Sequence, residues 1–218
     1  MGCPGGDARV AVGGMNSAQM RAFLQGFADR VQAHVQELTE LDAAIGDADH
    51  GTNMGRGLNA VMAALPAEGD PATLLKSAAM TMISKVGGAS GPLYGTAFLR
   101  ASTAKTGLAE WTPSDLREAL EAAYGGLLER GKAQPGDKTM LDAWRPALDA
   151  LATGTPADAA QAARSGAEAT RPMTARKGRA SYLGERSAGH LDPGAVSSAL
   201  MFEALAEALG EAHQEARA

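Results

Sequence analysis

Four times along the chain a residue with a short hydrogen-bonding side chain stands immediately before a proline: Asp70-Pro71, Thr112-Pro113, Thr155-Pro156 and Asp192-Pro193. Asp or Thr just ahead of a helix satisfies amides that the helix leaves free. Proline, with no N–H and φ fixed near the helical value, suits the first helical position. Each pair therefore predicts a helix start, and the apolar spacing behind them carries helices over about residues 71–86, 113–130, 156–170 and 193–209. Two more are expected after glycine-bearing loops, from Pro92 and from near Thr139. Ahead of these, Met20, Phe23, Leu24, Phe27, Val31, Val35, Leu38, Leu41 and Ile45 step by three and four, which predicts one long amphipathic helix with Ser17 as its N-cap. Met54, Leu58, Val61, Met62 and Leu65 make a second, shorter helix closed by Pro66 and Gly69. No window alternates with β-branched residues, so no strand is expected.

Eight helices joined mostly by short loops predict an all-α fold, an up-and-down antiparallel bundle or closed barrel. The expected organisation is a flexible leader over residues 1–14, with Met15 as an alternative start, and a single helical domain over 15–218. In such a topology the odd connections share one end: residues 46–51, 87–91, 131–138 and 171–192. The even ones, 66–70, 105–112 and 153–156, share the other and read as plain turns. All the chemistry-bearing loops therefore fall on one end. A net charge of -5 with 4% aromatic residues argues against nucleic acid as a partner. No apolar run approaches a membrane span, and a single cysteine, Cys3, is compatible with a reducing cytoplasm.

The first loaded loop concentrates oxygen ligands. Asp42 falls in the last helical turn, Gly46 is expected to take the left-handed conformation that ends a helix, and Asp47 and Asp49 follow on the loop. Three carboxylates placed together repel unless a cation lies between them, and an all-oxygen set suits magnesium or calcium. A calcium EF-hand fails on register: counted from Asp47, the sixth position is Thr52 rather than glycine and the twelfth is Leu58 rather than glutamate. Magnesium, which shares its shell with water and phosphates, fits better.

The other three loops point to phosphate. Gly87, Gly88 and Gly91 permit close backbone approach ahead of a helix start, where free amides suit an anion. The run 131–140 nearly matches the Walker phosphate loop, but Asp137 is inserted before Lys138 and a helix rather than a strand precedes it. It reads instead as a loop beside a nucleotide, with Thr139 or Asp137 capping the next helix. The long seventh connection carries Arg171, Arg176, Lys177, Arg179 and Arg186 with His190. Five cations facing three carboxylates suggest a polyphosphate held between metal and guanidinium.

At these residues the sequence resembles the nucleotide-binding L subunit of dihydroxyacetone kinase, whose members share an Ile-Gly-Asp-x-Asp-His-Gly turn. The likeness runs from about Met15 onward through residues 41–54, 87–95, 136–142 and 179–194. One departure is Ala48, where the family commonly has glycine. The resemblance implies an eight-helix barrel holding ADP or ATP through two magnesium ions at one end. It implies Asp42, Asp47 and Asp49 as metal ligands. His50, Thr52, Asn53, Ala89, Ser90, Gly91, Gly131, Thr139, Met140, Arg179, Asp192, Pro193 and Gly194 are implied as nucleotide contacts, with Arg179 also catalytic. The implied partner is a K subunit carrying dihydroxyacetone, with ADP kept as a cofactor and recharged by a phosphotransferase-system protein; a homodimer is among the assemblies the sequence allows. Alternatives are an ATP-dependent kinase subunit for another acceptor, such as a triose, a tetrulose or a fatty acid, and a nucleotide-loaded module that binds a transcription regulator.

Overall fold

A computed structural model describes residues 14–215 of the chain, with side chains described to residue 210. The expected leader therefore lies almost wholly outside the described residues. The elements, in chain order, are α1 (Ser17–Ala33), α2 (Val35–Ile45), α3 (His50–Ala64), α4 (Pro71–Lys85) and α5 (Ser90–Ala104). They continue with α6 (Pro113–Gly131), α7 (Leu141–Thr153), α8 (Pro156–Ala169), a 3-10 segment (Arg179–Ser187) and α9 (Pro193–Glu215). Among the described residues the sole β pairing is a bridge between Met15 and Trp111.

All four cap-proline pairs start helices. Asp70 accepts from the Thr73 amide at 2.7 Å, and Asp192 from that of Ala195 at 2.7 Å. Thr112 and Thr155 form reciprocal caps with Asp115 and Asp158. At α1 the cap is one residue earlier than expected: Asn16 accepts from Gln19 N–H at 3.0 Å and the Gln19 side chain returns the bond, while Ser17 donates to the Gly69 carbonyl. The long first span is interrupted at His34, where φ is -111° and ψ 14°. There the imidazole Nδ1 donates to the Arg30 carbonyl at 2.7 Å, competing with the backbone ladder.

Phe27 packs on Tyr94 with ring centroids 5.7 Å apart, and Phe23 on Phe98 at 6.3 Å, so α1 and α5 run antiparallel. Trp144 meets Phe202 edge-on at 5.1 Å, bringing α7 against α9. These rings join Met20, Leu24, Leu75, Leu120 and Met201 in one buried core. Of the two methionines in α4, Met82 is buried but Met80 is 53% exposed. At the end away from the loaded loops the connections are plain turns: the Arg21 guanidinium bonds the Pro66 and Ala67 carbonyls, and Lys105 pairs with Asp115 and Glu118.

Candidate functional site

Because α2, α4, α6 and α8 end where α3, α5, α7 and α9 begin, four helix N-termini face one end of the bundle. Each carries partial positive charge from amides without helical partners, so the topology alone builds an anion-attracting floor. The loops between them enclose a cleft of about 190 Å³ lined by residues that include Asp42, Asp47, Asp49, His50, Ser90, Lys138, Thr139, Arg179 and Asp192. An adjoining apolar cavity of about 400 Å³ is lined by Pro92, Leu93, Leu127, Gly131, Met140 and Leu141 among others. Ala89, Leu93, Thr139, Met140, Lys177 and Gly178 line both.

One oxygen from each of Asp42, Asp47 and Asp49 lies within 4.8 Å of the others. Asp42 Oδ2 accepts from the amides of Asp49 at 2.8 Å and His50 at 3.1 Å, so the carboxylate at the end of α2 caps α3 across the turn. Asp49, although at the N-cap position, makes no side-chain cap. Gly46 is not left-handed, as φ is -142°, and its lack of a side chain matters for space instead: a Cβ there would lie 2.0 Å from Asp42 Oδ1. The left-handed residue of the turn is Ala48, at φ 62°. The all-oxygen donor set, open on its cleft side, fits magnesium with water completing the shell.

Arg179 reaches the cluster, its Nη2 3.0 Å from Asp47 Oδ2, on a side chain 68% exposed. Lys177 lines both cavities, whereas Arg171 pairs with Glu168, so two of the five cations of this connection line the cleft. His50 is buried and its ring is held between two hydroxyls, Ser90 Oγ at 2.9 Å from Nδ1 and Ser197 Oγ at 3.0 Å from Nε2. Burial pushes its pKa down to about 4, against the pull of Asp42, and leaves the ring neutral. The chain of bonds continues inward from Ser197 to Tyr94 at 2.8 Å, from Tyr94 to Ser198 at 3.0 Å, and from Trp144 Nε1 to Ser198 at 3.1 Å. Asp192, at the start of α9, is pushed up to about 7 by burial; the Ala195 amide opposes this, and Asp142 and Asp42 add to it.

Of the other expected contacts, Ala89, Thr139, Met140, Pro193 and Gly194 line the cleft, and Gly131 lines the apolar cavity. Thr52 is exposed and bonds back to the Asp49 carbonyl, while Asn53 accepts from Arg56, and neither lines the cleft. Gly91 serves packing, since a Cβ there would lie 2.3 Å from the Val86 carbonyl. Of the two caps expected for α7, Thr139 accepts from the amide of Leu141, its first residue, at 3.3 Å, and Asp137 does not reach it. Asp142, inside its first turn, accepts from the Thr139 amide at 2.8 Å, and Asp137 accepts from Gln134 N–H at 2.9 Å. The inner hydroxyl network was not among the expected site residues; its signal in the sequence is the Ser197-Ser198 pair on an otherwise apolar helix.

The DAK2 domain matches residues 44–207, which include the end of the Asp42–Asp49 turn, Arg179 and Asp192. The chain belongs to the DAK2 domain family. It is 50% identical over 187 residues to the ADP-binding subunit of PEP-dependent dihydroxyacetone kinase 1 from Listeria innocua, covering 84% of this chain and 92% of that one. With the corresponding Escherichia coli subunit the identity is 43% over 208 residues, covering 90% and 99%. Among solved structures, the DAK2 fold seen here matches the dihydroxyacetone kinase of C. freundii in complex with AMP-PNP and Mg2+, with a TM-score of 0.66 and 26% identity. That match covers 95% of this chain and 37% of the C. freundii kinase. No described helix is long and apolar enough to cross a membrane.

Proposed function

We propose that this DAK2 protein is the nucleotide-binding subunit of a dihydroxyacetone kinase: it holds ADP through magnesium and passes a phosphoryl group to dihydroxyacetone carried on a separate K subunit. The observation that carries the reading is the trio of carboxylates, with Arg179 against them, in a cleft that adjoins an apolar cavity. The apolar cavity suits an adenine ring between Leu93, Leu127 and Met140, and the polar cleft suits its phosphates. Relatives named as ADP-binding subunits of PEP-dependent kinases are 39–50% identical and are matched over 92–99% of their length, whereas the human triokinase/FMN cyclase, 36% identical, and an L-erythrulose 1-kinase, 39% identical, are matched over 36% and 35% of theirs. This favours ADP as a resident cofactor, recharged by a phosphotransferase-system protein in the cytoplasm.

Asp42, Asp47 and Asp49 would hold magnesium, with two ions sharing the cluster, and the metal when bound supplies charge neutralisation on the phosphate oxygens. Asp42 is fixed for that task by the two amides it caps. The helix N-termini of α5 and α9 line the cleft and would offer amides to the nucleotide phosphates. Arg179, whose guanidinium lies against Asp47, would supply a cation to the transferred group and lower the cost of developing charge. His50, neutral and bonded on both sides, fixes Ser90 at the start of α5.

The test is to purify the chain with magnesium, denature it and identify released nucleotide by chromatography, alongside an Asp47→Asn variant. Near-stoichiometric ADP from the parent and none from the variant is expected. Empty protein that binds ATP reversibly would favour ATP as substrate, and absence of magnesium-dependent nucleotide binding would sink the reading.

A further inference from the structure

We propose that Lys138 is the positioning residue of the cleft, its ammonium group fixing the connection that carries Lys177 and Arg179 before any ligand binds. Lys138 is 1% exposed, yet among the described residues it has no ion pair. Its Nζ instead donates to four backbone carbonyls: Thr170 and Met173 at 3.0 Å each, Ser187 at 2.7 Å and His190 at 2.6 Å. An ammonium has three N–H bonds, so the four acceptors share them around one charge. A buried charge persists only when hydrogen bonds replace its water. Here the acceptors sit at or beyond the ends of α8 and of the 3-10 segment, where carbonyls lack helical partners and the dipole is negative.

The four carbonyls bracket the cationic stretch. Thr170 and Met173 lie before Lys177 and Arg179, and Ser187 and His190 lie after them. A further bond, from the Arg176 amide to the Asp137 carbonyl at 3.0 Å, ties the two loops next to the lysine. Lys138 itself takes the left-handed conformation, φ 63°, which is unfavourable for a residue with a side chain. Its neighbour Thr139 lines both cavities, so one side chain sets two walls of the site. The residue that looks like a phosphate-binding lysine in sequence thus acts on the protein's own backbone.

Hydrogen exchange on the full parent chain, free of magnesium and nucleotide, tests the claim without a variant. The hydrogen-bonded amides of this connection, those of Met173, Ala175, Arg176, Ala188 and Gly189, are expected to be protected comparably to those of α8, and rapid exchange at them would overturn it. In Lys138→Ala, exchange should quicken in 171–192 while α1 to α5 stay unchanged, and affinity for magnesium-ADP should fall at least tenfold. Added n-propylammonium, which replaces the deleted methylenes and charge, should restore both, and neutral n-propanol should not. Unchanged exchange, loosening throughout the bundle, no rescue by the amine, or equal rescue by the alcohol would each reject the positioning role. The affinity arm rests on the nucleotide-binding reading; if the parent binds no ADP that reading fails, and the exchange arm still decides this one.

Discussion

Ala48 holds φ at 62°, where a Cβ crowds the backbone and glycine does not suffer. Ala48→Gly should raise the unfolding free energy by about 1 kcal/mol in urea titrations; a loss of stability would show that the turn gains more from the rigidity of alanine. Gly46→Ala should act in the opposite sense on function. Its methyl would stand 2.0 Å from Asp42 Oδ1, so magnesium-dependent nucleotide binding should be lost while far-ultraviolet circular dichroism stays helical. Retained binding would remove Asp42 from the metal set. Two buried groups at the site bend the pH profile in opposite directions. Asp192 is raised from 3.8 to about 7, so the stability it contributes is full below pH 3.8 and is lost as pH rises through 7. His50 is lowered from 6.5 to about 4, so its contribution is full above pH 6.5 and is lost as pH falls through 4. In magnesium-free buffer, urea unfolding of Asp192→Asn should gain stability with rising pH more steeply than the parent, and His50→Gln less steeply. Parallel profiles for all three would refute both assignments.

Helix starts were legible because caps and prolines act locally, and all four cap-proline pairs did what their chemistry dictates. The break at His34 was not legible, because the apolar spacing runs unbroken through it and the competing bond comes from a polar side chain inside that pattern. The carboxylate trio could be read from spacing alone, since one turn holds it. The Lys138 cage and the Ser197-Tyr94-Ser198 network were hidden, because their partners lie on other elements. α7 shows how one element accommodates another. Pro146 lies inside it and has no N–H for the Asp142 carbonyl, and Gly166 brings α8 against that same oxygen. A Cβ at position 166 would lie 2.2 Å from it. Gly166→Ala should therefore cost about 1–3 kcal/mol of unfolding free energy, and a neutral effect would mean that α8 shifts freely on α7.

At the scale of the whole molecule the fold separates a reactive end from a structural one, and ligand binding should be felt as global stability. With magnesium-ADP at a hundredfold its dissociation constant, the unfolding free energy should rise by about 2.7 kcal/mol. Asp47→Asn should show no such gain in thermal or urea unfolding, and an equal gain would place the ligand elsewhere. Eight antiparallel spans also return the polypeptide to the side from which it set out. Met15 is pinned to Trp111 there, and α9, starting at Asp192 on the floor of the cleft, runs back to the same side. Additional sequence can thus be joined ahead of α1 or behind α9 without shading the mouth of the site. Such an architecture is equally serviceable as a detachable subunit or as one module of a longer polypeptide, as in the C. freundii kinase, of which it matches 37%.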